Sequence, residues 1–134
     1  MKLSGLMIVN TIVAGVFGLA FLFAPTPVMG LYSTETGPTL DLMCQLFGAA
    51  LIGFAVLSWV ARNAPDSEAR RAIVLAFFFG DLVGCIVALI AQFGGVVNAL
   101  GWTTVGIYFL LAVGFGYFTF SAPTAASGAS GSSM

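Results

Sequence analysis

Hydrophobic positions along the chain gather into four long runs, divided by short breaks rich in glycine, proline and polar residues. The runs cover about residues 3–24, 40–61, 69–93 and 96–120. Each is long enough for a bilayer core, which takes roughly 20 helical residues. None alternates as a strand would, and a helix satisfies its own backbone hydrogen bonds in lipid. The pattern predicts an all-α protein: an integral membrane four-helix bundle with short loops, forming one domain over residues 1–120.

The breaks support these boundaries. Pro25, Pro27, Gly30, Gly37 and Pro38 are expected to interrupt any helix between the first two runs. Thr39 fits an N-cap, with Asp41 in the first turn, where a negative charge suits the helix dipole. Asn63 to Ser67 form the second break, with Asp66 or Ser67 as the cap and Glu68 behind it. The third break, around Gly94 and Gly95, is read as very short, which makes the last two helices an antiparallel hairpin. From Ser121 the chain is Ser, Ala and Gly, and residues 121–134 are expected to form a flexible tail.

Charge orients the bundle. Lys2, Arg62, Arg70 and Arg71 are the four cations of the chain. With an even number of spans they all fall on one side, which the positive-inside rule makes cytoplasmic. The expectation is an N-in, C-in protein of the cell (inner) membrane. The first run lacks a clear small-x-small cleavage site and is long for a signal core, so it is read as a retained helix. Only 7% of the 134 residues are charged and 60% are hydrophobic, with a mean hydropathy of +1.09. A soluble domain carries about 25% charged residues, so the lipid bilayer is the expected main partner. A net charge of −1 with no basic patch excludes a nucleic-acid partner.

The sequence contains no histidine, the usual general base and the usual haem or metal ligand, so bis-histidine haem ligation is excluded. Cys44 and Cys85 lack metal-site spacing and sit in apolar runs, where a free thiol behaves as a small hydrophobe. Phosphate loops, nucleophile elbows and paired catalytic carboxylates are missing as well. The expectation is no enzyme, no cofactor and no metal.

Lipid gives helices no hydrophobic drive to associate, so small and polar residues mark the contacts. The third helix carries Ala72, Ala76, Gly80, Gly84 and Ala88 at four-residue spacing. The second carries Ala49 and Gly53, and the first Ala14 and Gly18. These are the expected packing positions, whether inside the bundle or against a partner subunit. Glu35, Asp41, Gln45, Gln92 and Asn98 form a polar set at the outer side, and Trp102, Tyr108, Trp59 and Tyr117 fit interfacial anchors.

Asp81 stands apart. At 1.5 Å per residue it lies roughly 13 Å below the start of the third span, close to the middle of a bilayer core about 30 Å thick. An ionised carboxylate there costs at least about 2.5–3.5 kcal/mol, so Asp81 is expected to face the interior as a neutral acid. Asn10 and Thr11 on the first helix lie at about the same depth and are the expected hydrogen-bond partners. The acid either ties helices one and three together or carries a proton or a ligand.

The chain resembles the small four-helix bacterial membrane proteins grouped with the DoxX-like families. The resemblance rests on length, four spans and stretches such as LFGAALIGFAVLSWVARNAP, Leu46 to Pro65. It implies the bundle fold and carries no active-site residues over. Two functions are compatible with the residues. The first is a structural or accessory subunit that packs in a larger membrane complex or self-associates as a homo-oligomer. The alternative is a small-molecule or lipid binder, or a proton-coupled transporter, using Asp81 with Asn10 and Thr11.

Overall fold

The structure, a computed structural model, describes residues 2–32 and 35–120, and the tail expected at 121–134 lies outside them. Its elements are α1 (Leu3–Phe23), α2 (Pro25–Leu31), α3 (Pro38–Ala61), α4 (Glu68–Phe93) and α5 (Gly101–Phe120). No strand occurs among the described residues. Four of these helices, α1, α3, α4 and α5, are long and apolar enough to cross a membrane.

Two boundaries differ from the sequence expectation. The break between the first two runs holds a seven-residue helix, α2, instead of an uninterrupted loop. Pro25 and Pro27 sit in its first turn, where their missing N–H groups need no helical partner and their fixed φ suits the helix. The last helix begins at Gly101 rather than near residue 96, so the third connector spans seven residues, 94–100. Gly95 there has φ +72°, a left-handed conformation that glycine adopts without strain. The side-chain oxygen of Asn98 accepts from Leu100 N–H at 3.0 Å and tightens the turn into α5. The expected Thr39 cap is replaced by Gly37, with Pro38 at the first helical position and Asp41 in the first turn. Ser67 caps α4, its hydroxyl accepting from Arg70 N–H at 3.2 Å.

The four long helices pack as two hairpins. α1 lies along α3, and α4 along α5. A smaller contact between α1 and α5 joins the pairs. By contrast α3 and α4, consecutive in the chain, are not a packed pair; Phe54 and Phe77 meet edge-on across the gap, ring centroids 6.1 Å apart.

The core lies at the end of the molecule that carries Lys2 and the arginines. Leu6 and Met7 of α1, Ala61 of α3, Val74 and Phe77 of α4, and Leu111 and Phe115 of α5 form one buried cluster. Phe77 stacks on Phe115 with centroids 5.1 Å apart. From this clasp the two hairpins run to the opposite end with a cleft between them.

Each hairpin has its own close contact. In the first, Gly18 and Gly48 bring the α1 and α3 backbones together: a Cβ at Gly48 would lie 2.7 Å from the Gly18 carbonyl oxygen and 2.9 Å from Leu22 N. Only residues without a side chain permit so near an approach. In the second, the ring of Tyr108 on α5 lies over Gly84 on α4, so a Cβ at Gly84 would fall 2.5 Å from a ring carbon.

Candidate functional site

The cleft between the hairpins has a volume of about 490 Å³, inside the range typical of small-molecule sites, about 300–1,000 Å³. Phe17 and Phe21 of α1, Phe47 and Phe54 of α3 and Phe77 of α4 supply much of its wall. Polar groups enter it from Asn10, Tyr32, Asp81, Thr104 and Tyr108. Leu111 and Phe77, members of the buried core cluster, form the floor.

The roof comes from α2 and the connector before α5. Tyr32 and Thr104 share a hydroxyl hydrogen bond of 3.0 Å. Asn98 donates its side-chain amide to Leu31 O at 2.9 Å and its backbone N–H to Tyr32 O at 3.1 Å. Thr26 at the start of α2 donates to the Asp41 carboxylate at 2.9 Å, and Gln45 donates to Leu22 O at 3.4 Å. Asp41 and Asn98 of the outer polar set thus hold α2 across the end of the bundle, and Gln45 ties α3 to α1. Gln92, with its amide donating to Asn98 O at 3.1 Å, belongs to the same construction.

Five cleft-lining residues are exposed: Phe47, Phe54 and Leu57 on α3, and Ala76 and Gly80 on α4. All five belong to the two helices that do not pack together. The cleft therefore opens sideways, through the gap between α3 and α4, and not through either end.

Asp81 sits about half way along α4 and lines this cleft. Its Oδ2 atom is buried and has no hydrogen-bond partner among the described residues. The expected bonds from α1 are made elsewhere. Asn10 donates its amide to Ser58 Oγ of α3 at 2.5 Å, and both residues are buried. Thr11 does not line the cleft; its hydroxyl is shared between Met7 O at 2.9 Å and Ala55 O at 3.3 Å. Asn10 and Thr11 thus tie α1 to α3, and Asp81 shares the cleft with Asn10 without a hydrogen bond to it. Tyr108 of α5 lines the same cleft as Asp81. It was expected as an interfacial anchor and instead lines the cleft, held over Gly84.

The small residues divide between two roles. Gly18 is buried in the α1–α3 contact, Gly84 receives Tyr108, and Ala14 is buried on the cleft wall. Ala76, Gly80 and Ala88 line the cleft, and a Cβ at Gly80 would meet nothing within 4 Å. Ala49 and Gly53 are exposed on α3, with equally open space at Gly53. Gly48, Ser58 and Tyr32 were not singled out from sequence. Gly48 is adjacent to Ala49 and falls outside the four-residue spacing that Ala49 and Gly53 share.

No group of three or more potential metal ligands occurs among the described residues. What the arrangement offers is an apolar, aromatic-walled space reached from the side, with one buried carboxyl oxygen unpartnered among the described residues. Neither a curated protein nor a solved structure matches the chain. A family described as a domain of unknown function, DUF8292, matches residues 8–126, nearly all of the 134-residue chain, and the protein belongs to that family.

Proposed function

We propose that this is a multi-pass protein of the cell (inner) membrane, with both termini cytoplasmic, that binds a small apolar molecule dissolved in the bilayer. The ligand reaches the inter-hairpin cleft through the α3–α4 gap, and Asp81 is its polar anchor. The observation that carries this reading is the unpartnered Asp81 Oδ2 in a cleft of about 490 Å³. A bundle serving only to pack fills its interior to crystal-like density and satisfies its buried polar groups. Here Asn10 is bonded to Ser58 and Tyr32 to Thr104, while the acid is left facing the space. The cationic end, with Lys2, Arg62, Arg70 and Arg71, supports the cytoplasmic assignment through the positive-inside rule.

Native mass spectrometry after extraction from the cell membrane in a mild detergent tests the proposal. The expected result is a species heavier than the 13.8 kDa chain by one discrete small mass. A bare chain under the gentlest release would remove the support for a bound ligand.

A second reading, an accessory subunit or homo-oligomer, is favoured by Ala49 and Gly53. They lie one turn apart and exposed on α3, with room above Gly53 for a neighbouring helix. The same measurement serves it, since added mass would then equal another chain.

A further inference from the structure

Resting on that binding reading, we infer that the cleft selects a lipophilic organic cation: an apolar, preferably aromatic body carrying one positive charge, seated against Asp81. Three features of the cleft converge on this class.

The first is charge. Every cation of the chain is confined to one end, at Lys2, Arg62, Arg70 and Arg71, and histidine is missing from the sequence. Nothing in the protein can balance an ionised Asp81 half way along α4. Only a proton or the ligand itself can supply that charge, and a carboxylate in low dielectric is strongly attracted to either.

The second is the wall. Phe17, Phe47, Phe54 and Phe77 surround the space, and Tyr108 lines it together with the acid. Aromatic faces attract cations through their quadrupole, more strongly once the cation has shed its water. A carboxylate set among aromatic rings favours positive charge over an anion of equal size.

The third is the way in. A charged, fully hydrated solute would need an aqueous mouth at one end, but α2 and its hydrogen bonds to Thr104 and Asn98 cover the end opposite the arginines. The opening lies between α3 and α4, with Phe47, Phe54 and Gly80 at its edge. A ligand that arrives there has already partitioned into lipid, so its charge must be carried on a hydrophobic frame.

The experiment is equilibrium dialysis of the full-length protein in lipid nanodiscs, against empty discs, with two probes of nearly equal shape. Methyltriphenylphosphonium is cationic; triphenylphosphine oxide is neutral. The expected result is saturable binding of the phosphonium, at least about ten-fold tighter than the oxide. Asp81→Asn should remove that preference, and Asp81→Glu should keep it. Equal binding of both probes to the wild-type chain, or saturable binding of the oxide alone, overturns the cation inference and leaves the apolar-binder reading standing. If neither probe saturates, both fail. The comparison of probes on the unaltered protein decides the matter without relying on the folding of either variant.

Discussion

Gly18 and Gly48 face each other across the α1–α3 crossing, each backbone carbonyl lying about where the other's Cβ would be: 3.0 Å from a Cβ on Gly18 and 2.7 Å from one on Gly48. The obstacles are backbone atoms, which cannot rotate aside. Gly48→Ala must therefore spread the two helices, and a loss of about 1–3 kcal/mol is expected. Gly53→Ala, five residues further on and with nothing within 4 Å of its Cβ, serves as the control. It should be neutral or stabilising by up to about 1 kcal/mol, because alanine is the better helix former. Unfolding of the solubilised protein by increasing sodium dodecyl sulfate separates the two; equal midpoints would refute the crossing.

Asn10 and Ser58 are both buried and share one hydrogen bond. Ser58→Ala leaves the Asn10 amide without its acceptor, and should cost about 1–3 kcal/mol. Adding Asn10→Leu removes the stranded amide and should recover much of that loss, since replacing both partners with apolar groups is close to neutral. The same unfolding assay reads the cycle. Strictly additive single and double variants would show that the two residues are not coupled.

Gly80 lines the cleft at its mouth without touching another element. Gly80→Leu is expected to block the space without loss of stability, staying neutral or stabilising by up to about 1 kcal/mol, since it disturbs no packing and replaces glycine with a better helix former. Phosphonium binding in nanodiscs should then fall below detection. Unchanged binding would place the ligand elsewhere.

Orientation is checked by thiol labelling. In a background with Cys44→Ala and Cys85→Ala, Glu68→Cys and Val96→Cys put single thiols at exposed positions at opposite ends of α4. A membrane-impermeant maleimide applied to intact cells should label the Val96 variant and spare the Glu68 variant. The reverse pattern would invert the topology.

The four long helices were legible because each apolar run is both long and bounded by proline, glycine or a capping residue. Asp81 was legible too, since one carboxyl in an apolar run stands out whatever surrounds it. What escaped the sequence reading was register between helices. Depth along a helix placed Asn10 level with Asp81, but it carries no information on rotation, and the amide turns to Ser58 instead. Gly48 was overlooked for a related reason: a single glycine makes a crossing when its opposite number is Gly18, and no spacing within one helix reveals that pairing. The prolines of α2 misled because the same residue stops a helix from within and starts one from its first turn. Tyr108 looked like an anchor because tyrosine is common at membrane interfaces, yet Gly84 across the hairpin gives its ring a seat.

The gap between α3 and α4 separates what holds the molecule together from what its cleft would recognise. Gly18, Gly48, Gly84 and the clasp around Phe115 maintain the two hairpins, and none of them lies at the cleft's edge. Phe47, Leu51, Ala76 and Gly80 shape the opening while bearing little of the packing between hairpins. Changes at these rim positions carry almost no folding penalty, so a lineage can drift in what its members hold while the scaffold stays intact. A chain of 134 residues whose two hairpins are clasped at one end is, in that sense, an evolvable frame: any selectivity of the cleft would be free to diverge along one seam.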